Sequence, residues 1–325
     1  MNPKISIITP CFNAEKYIEQ TILSIINQQY DNLEYIIIDG GSTDRTVDII
    51  KKYQDKIYYW VSEPDKGQSD AINKGINIAT GDIFNWINAD DYLEVNALYT
   101  IGSLFKNENL EVACTPTMLF NENGNIRINQ STQIEKGVLG LLNYHGLNQQ
   151  GMFWRMRIIK ELNGVNTNFN YSMDLDLWKR YLINYGLINV IKLDVLTGYF
   201  RMSNDSKTGA DFEINFHLFE AENHAAIIQY AKLLGENYTS ALKLIYPKYK
   251  PLLAVTSPHS MLNKVNLKEW IDDLIFQFLR EKFYSGEYKI VFEVIKKINL
   301  SQFDKTRKRD LFYFKRKSLL KSFFR

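Results

Sequence analysis

Two carboxylates, Asp90 and Asp91, follow almost directly on the apolar run "IFNWI". Adjacent acids at the end of a buried segment are costly unless something neutralises them. Magnesium and manganese favour carboxylate oxygen, so the pair predicts a divalent cation there, against the plainer alternative of a solvated turn. A further acid, Asp39, ends the stretch "YIIID" and is followed by "GGST". A carboxylate fixed at a strand end accepts hydrogen bonds from the N–H edge of a flat heterocycle, and glycines let such a ring approach the backbone. The same spacing suits an Asp39 that only caps the next helix or closes a turn. In "DKGQSDAINKG" (65–75), Asp65 and Asp70 sit where a helix opens and its free N–H groups take polar contacts. They are read as flanking a bound base and ribose; the alternative is an acidic first turn that complements the helix dipole.

The elements that must position these acids follow from periodicity. "KISIIT" (4–9), "LEYIII" (33–38), "KIYYWV" (56–61) and "DIFNWI" (82–87) read as strands, the first two buried. Helices are predicted at 14–27, with Asn13 as cap, at 44–54 and at 68–79. Four strands alternating with helices predict an α/β fold, a mostly parallel central sheet with helices on both faces. Ligands of such sheets sit outside the carboxyl ends of the strands. Those ends are Thr9-Pro10, Asp39-Gly40-Gly41, Glu63-Pro64-Asp65 and Asn88 to Asp91, rich in acids and lacking both glycine-rich phosphate loops. Beyond 91 the spacing predicts a helix at 94–106 and a hairpin over 111–128 turning at Asn123-Gly124. A strand at 151–155, a helix at 172–186 and a strand at 195–202 follow, and from about 210 the chain is almost wholly helical.

The chain has 325 residues, enough for one main domain and an appendage. The division expected is a catalytic domain over 1–210, with halves 1–91 and 92–210, and a helical region over 211–325. A formal net charge of +2 argues against a polyanionic partner for the whole chain, and the acidic strand ends argue against nucleic acid. Two cysteines give neither a disulfide framework nor zinc spacing, and the default compartment is a reducing cytoplasm. The apolar run in "MNPKISIITP" is too short for a signal peptide, and no run approaches the ~20 apolar residues of a membrane span.

Taken together, "ISIITPCFNAEKYIEQTILSIINQQYDNLEYIIIDGGSTDRT", "SEPDKGQSDAINKGINIATGD" and "INADD" resemble the nucleotide-binding half of the family 2 glycosyltransferases. "GMFWR…YSMDLDLWKR" resembles the acceptor half, so the likeness spans about 3–208. It implies a GT-A fold, a nucleotide-sugar donor, a divalent cation (Mg2+ or Mn2+) and inversion at the anomeric carbon, with UDP as the favoured nucleotide. It gives Asp39 the uracil edge, lines the nucleoside slot with Pro10 and Asn13, and sets Asp70 near the nucleoside. "NADD" matches the family's D-x-D region, with Asn88 where many members have the first Asp. Metal binding is carried onto Asp90 and Asn88, and a supporting contact to metal or sugar onto Asp91. The first acid of "MDLDLWKR" maps the catalytic base onto Asp174. "FRMSNDSKT" has Ser203 where the family often has histidine, and leaves Arg201 and Lys207 as diphosphate contacts. Gln149, Gln150 and His145 fall where acceptor-facing groups are expected.

From Lys305 to Arg325 nine Lys/Arg stand against one acid, interleaved with Phe, Tyr and Leu. This fits a basic amphipathic helix on an anionic membrane, the inner face of the plasma membrane, where a glycan or lipid-linked saccharide acceptor would be met. It also fits a solubilising tail that packs by its Phe and Leu side chains. Two other functions share the base-binding logic: a nucleotidyltransferase of sugar metabolism, which would want a glycine- and basic-rich first loop in place of "TPCFNAEKY", and a non-catalytic nucleotide-sugar binder.

Overall fold

The computed structural model describes residues 2–130, 132–144, 146–203, 212–247 and 263–322, the side chains of 212–215, Lys264 and Ser322 excepted. Its first half alternates as the periodicity predicts: β1 (Ile5–Cys11), α1 (Ile18–Ile26), β2 (Leu33–Asp39), α2 (Thr46–Lys52), β3 (Tyr59–Ser62), α3 (Gln68–Ile78) and β4 (Ile83–Trp86). Then come β5 (Tyr92–Leu93), α4 (Ala97–Leu104), β6 (Val112–Cys114), β7 (Thr117–Asn121), β8 (Gly124–Asn129), α5 (Gly137–Leu142), β9 (Met152–Arg155), α6 (Met156–Glu161), α7 (Met173–Tyr185), β10 (Val190–Lys192) and β11 (Gly198–Arg201). The remainder is helical: α8 (Phe212–Ala231), α9 (Glu236–Ile245), α10 (Lys264–Tyr284), α11 (Tyr288–Ile295) and α12 (Lys305–Ser322).

Among the described residues, seven strands form the main sheet in the order β10-β6-β9-β4-β1-β2-β3, parallel except for β9. Side chains of a strand alternate between faces, and the two cores divide accordingly. Ile5, Ile7, Tyr35 and Ile37 face α1, α2 and α4, while Ile8, Ile36 and Ile38 face α3, α7 and the C-terminal helices. Register pairs Cys11 with Asp39 and Asp39 with Ser62, so three strand ends form one row. That row, with the end of β4 beside β1, is the rim on which a site can be built.

Three expectations change. The stretch 111–128 is not one hairpin: Val112 to Cys114 are fully buried and join the main sheet. Only β7 and β8 pair across the Asn123-Gly124 turn, in a second sheet ordered β5-β11-β7-β8. Pro116, which cannot donate to a ladder, separates the two uses of the segment. Asn13 does not cap α1, which begins at Ile18; it takes a left-handed φ of 48° and its Oδ1 accepts from the Thr43 N–H. Its job is to tie the β1 loop to the β2 loop. Finally, β10 had no sequence signal, because Val190–Lys192 is a short, half-exposed edge strand.

The helical region shares a continuous core with one face of the sheet. Leu267, Trp270, Ile271, Ile275 and Leu279 of α10 are buried in the same cluster as Trp178 and Tyr181 of α7 and Tyr230 of α8. Asn263 caps α10 by accepting from the Val265 and Asn266 N–H groups. In α12, Leu311, Phe314 and Ser318 face inward, while Phe312, Lys315, Arg316 and Leu320 face outward.

Candidate active site

A cavity of about 1000 Å³ opens along the carboxyl ends of β1 to β4 and is closed on the far side by α7 and α8. Its wall includes Pro10, Asn13, Gly40 and Asp65 from the ends of β1 and β2 and the loop before α3, Asn88 and Asp90 from the turn after β4, and Asp174 with Phe216 and Phe219 from α7 and α8. Five sequence-predicted side chains remote along the chain, Pro10, Asn13, Asp65, Asp90 and Asp174, thus meet in one place, with Asn88 among them.

Asp174 sits in the first turn of α7. The Leu175 N–H donates to its Oδ1 at 2.8 Å, and among the described residues no side chain donates to Oδ2. Burial raises its pKa to about 6, against the opposing pull of the Leu175 and its own N–H groups, and the charge of Glu222 adds to the rise. The result is a carboxylate with one oxygen held and one available, basic enough to take a proton near neutrality.

Asp90 is half-buried on the cavity wall, and burial raises its pKa, with Arg201 opposing. Asp91 is fully buried behind it and does not reach the cavity. Its carboxylate accepts from the Arg201 N–H at 2.9 Å, the Gln150 amide at 2.8 Å and the Asn88 amide at 3.1 Å. Burial and then the neighbouring Asp90 hold its pKa well above the usual range. Asn88 is a relay: its amide donates to Asp91, and its Oδ1 accepts from Gln68 at 2.7 Å.

Among the described residues no three His, Cys, Asp or Glu side chains cluster as metal ligands. At the turn after β4 the cavity wall offers one carboxylate, Asp90, with the Asn88 carbonyl oxygen beside it once Gln68 lets go. Magnesium-type ions are commonly held by one or two carboxylates together with substrate phosphates, so the donors fit an ion that arrives with a diphosphate better than a pre-formed cage.

Several predicted contacts lie elsewhere. Asp39 is completely buried and does not line the cavity. It accepts from the Gly41 N–H at 3.2 Å, the Ser42 N–H at 2.9 Å, both the Ser42 and Ser62 hydroxyls, and the Cys11 thiol. Five donors use up a carboxylate's capacity, so the structure gives Asp39 the loop-closing role and not the base edge. Asp70 turns back to accept from the Lys66 N–H at 3.1 Å, the first-turn role, whereas Asp65 accepts from Gly67 and stays on the cavity wall. Arg201 is buried behind the Asp90-Asp91 turn, not on the cavity. Its Nε donates to the Asp90 carbonyl at 2.9 Å, its guanidinium reaches Gln20, and it stacks between Tyr17 and Phe120. It shapes the acidic turn and is not presented to a diphosphate. Gln149 and Gln150 line the cavity; their amide N–H groups donate to Asn85, Trp86 and Asp91, while the Gln149 Oε1 has no partner among the described residues. Lys207 and His145 lie outside the described residues.

The model of the family described as glycosyl transferase family 2 matches residues 6–176, more than half of the chain. The chain belongs to glycosyl transferase family 2. Curated relatives of this family 2 chain include an uncharacterized glycosyltransferase of Haemophilus influenzae, 42% identical over 28% of this chain and 38% of that protein. Another, of Rickettsia typhi, is 28% identical over 56% of this chain and 59% of that protein. The dolichyl N-acetyl-alpha-D-glucosaminyl phosphate 3-beta-D-2,3-diacetamido-2,3-dideoxy-beta-D-glucuronosyltransferase of Methanococcus voltae is 31% identical over 66% of this chain and 61% of that protein. The matches thus span less than two thirds of these relatives. Among solved structures, S. aureus TarS 1–349 in complex with UDP-GlcNAc has a TM-score of 0.55 at 16% identity, covering 97% of this chain and 89% of that one. The mannosyltransferase PcManGT of Pyrobaculum calidifontis, in complex with GDP-Man and Mn2+, has 0.50 at 16%, covering 98% and 88%. At such identity these likenesses establish the GT-A-like fold alone.

Sequence reading of the family 2 chain missed Gln68, which braces Asn88; it placed Gln150 toward the acceptor where the structure has it bracing Asp91, and it took Gly40 only as room for a ring. A Cβ at Gly40 would stand 2.7 Å from the Asp65 carboxylate, so the absent side chain keeps Asp65 on the wall. Only the glycine pair after Asp39 signalled this, and it was equally a turn signal.

Proposed function

We propose that the protein is an inverting glycosyltransferase that moves a hexose or N-acetylhexosamine from a nucleotide-sugar, with UDP the favoured nucleotide, to a hydroxyl of a glycan or lipid-linked saccharide. One observation carries the reading: Asp174, with one carboxylate oxygen available and a pKa raised to about 6, lines the same cavity as Asp90. Inverting displacement needs a base behind the anomeric carbon and charge stabilisation on the leaving side. Asp174 accepts the acceptor hydroxyl's proton as its oxygen attacks. Asp90, with Asn88, would hold a divalent cation such as Mg2+ or Mn2+. When bound, that cation supplies neutralisation of the departing diphosphate. Pro10, Asn13, Gly40 and Asp65 form the end of the cavity suited to the nucleoside, and Arg201 and Asp91 keep the Asp90 turn in shape. The Mn2+ in the PcManGT complex and the UDP-GlcNAc in the TarS complex support a cation and a nucleotide-sugar donor at the level of shared fold.

The outward face of α12 supports a peripheral site of action. Lys305, Lys315 and Arg316 are exposed there beside Phe312 and Leu320, a pattern that suits an anionic lipid surface. Among the described residues no helix is long and apolar enough to cross a membrane. The location that fits is the cytoplasm, against the inner leaflet.

The test is transfer and donor hydrolysis across a nucleotide-sugar panel, with and without Mn2+, for wild type and Asp174→Asn. The expected result is loss of about 10²–10⁴-fold in transfer by the variant with nucleotide affinity retained. Wild-type turnover by Asp174→Asn overturns the mechanism; nucleotide-sugar binding by a wild type that never transfers or hydrolyses leaves a binder.

A further inference from the structure

Glu222 lies in α8, about fifty residues beyond the base it faces. Its Oε1 accepts from the Asn170 N–H at 2.9 Å, and its Oε2 from the Tyr171 N–H at 2.9 Å, the Ser172 N–H at 3.0 Å and the Ser172 hydroxyl at 3.2 Å. These donors are the three residues that lead into α7, whose second residue is Asp174. Ser172, at the N-cap position, makes no side-chain cap of its own, so the carboxylate from α8 supplies acceptors the local sequence does not. Two further contacts continue the join. Asn223 accepts from the buried Lys179 Nζ, and Tyr230 donates to Asp176. Asp176 is in turn paired with Arg180 at 2.8 Å. On the same helix, Phe216 and Phe219 line the cavity.

Resting on the transferase reading above, we propose that Glu222 is a positioning residue. By gripping the backbone of 170–172 it fixes the entry of α7, and with it the direction in which the available oxygen of Asp174 faces the acceptor hydroxyl. A merely supporting salt link would join two side chains; here one carboxylate orders three consecutive peptide N–H groups immediately ahead of the base. Among the described residues Glu222 makes no hydrogen bond to β1, β2 or the loop before α3, the elements assigned above to the nucleoside; its grip meets that end of the cavity only through Asn170 and Tyr171, which line it.

The experiment is steady-state kinetics of Glu222→Ala, Glu222→Gln and Glu222→Asp, alone and combined with Asp174→Asn, on protein whose fold is checked by circular dichroism and thermal melting. Misplacing a reacting group by about 1 Å costs on the order of 10²-fold, so kcat of Glu222→Ala should fall about 10–100-fold with donor KM within about twofold. Glu222→Asp, which keeps the charge, should recover part of the loss and Glu222→Gln less. In the Asp174→Asn background the Ala change should cost nothing more in kcat, because the two act as a unit. A kcat per folded molecule equal to wild type, with only the melting temperature lowered, overturns the proposal, as does full additivity with Asp174→Asn. If Asp174→Asn itself is fully active, it is the transferase mechanism that fails; if it is inactive and Glu222→Ala is not, only the positioning role fails.

Discussion

Taking a proton from a sugar hydroxyl asks for a carboxylate that is ionised at working pH yet not weakly basic. Asp174, raised to about 6 by burial, meets both conditions. With the ionised form as the proposed base, kcat/KM should fall about tenfold per pH unit below about 6 and be flat above it, a limb readable from a pH–rate profile. The same shift acts on stability with the opposite sense. A carboxyl whose folded pKa exceeds its unfolded value costs stability progressively as pH rises from the unfolded value to the folded one. Asp174→Asn should therefore melt higher than wild type above pH 6 while losing turnover, a trade seen where sites are built against stability. Asp39 predicts the reverse pairing. Asp39→Ala leaves buried donors without an acceptor and should lower stability by about 2–3 kcal/mol in denaturant titration. The reading of Asp39 shows what single residues withhold. Sequence told that a carboxylate stood at a strand end; it did not tell that Ser62, in register one strand over, and the Ser42 hydroxyl would claim it. Arg201 was misjudged for the same reason, since the acceptors it faces come from a turn more than a hundred residues earlier. That Asp90 and Asp65 would stand on the cavity wall was legible from their places at strand ends, and Asp174 only from the family resemblance.

At the scale of elements, the first four strands and their helices were readable because unbroken Ile-rich runs alternate with amphipathic ones. The turn at Asn123-Gly124 was readable from its dipeptide. What stayed hidden was pairing: nothing in "VAC" says that it lies between β9 and β10, for a three-residue run carries no period. The ties of α7 to the 162–164 turn and to α8 were out of reach, being single polar contacts between distant segments. Arg180 there donates to the Asp176 carboxylate at 2.8 Å and to the Leu162 and Gly164 carbonyls, all buried. Asp176→Ala leaves that guanidinium without its counter-charge, and the expected loss is about 3–5 kcal/mol by chemical denaturation. Activity should fall with it, since the same helix carries Asp174, the proposed base.

For the whole molecule, the outward face of α12 predicts a salt-sensitive attachment. The chain should co-sediment with phosphatidylglycerol vesicles at low ionic strength and not with phosphatidylcholine ones. Reversing Lys315 and Arg316 to Glu should weaken binding at least about tenfold, as each basic side chain near such a surface contributes about 1 kcal/mol. Equal binding to both vesicle types would assign α12 to bundle packing alone. The shared core has a separate outcome for anyone wishing to exchange specificities between relatives. Trp178 and Tyr181 on α7, the helix of the proposed base, share one buried core with Trp270 and Tyr230 from beyond residue 211. A chimera whose crossover falls between 203 and 212 would set α7 in a core shaped for another sequence. Productive exchanges should instead break ahead of α7, so that the proposed proton acceptor and the core it shares are inherited as a unit.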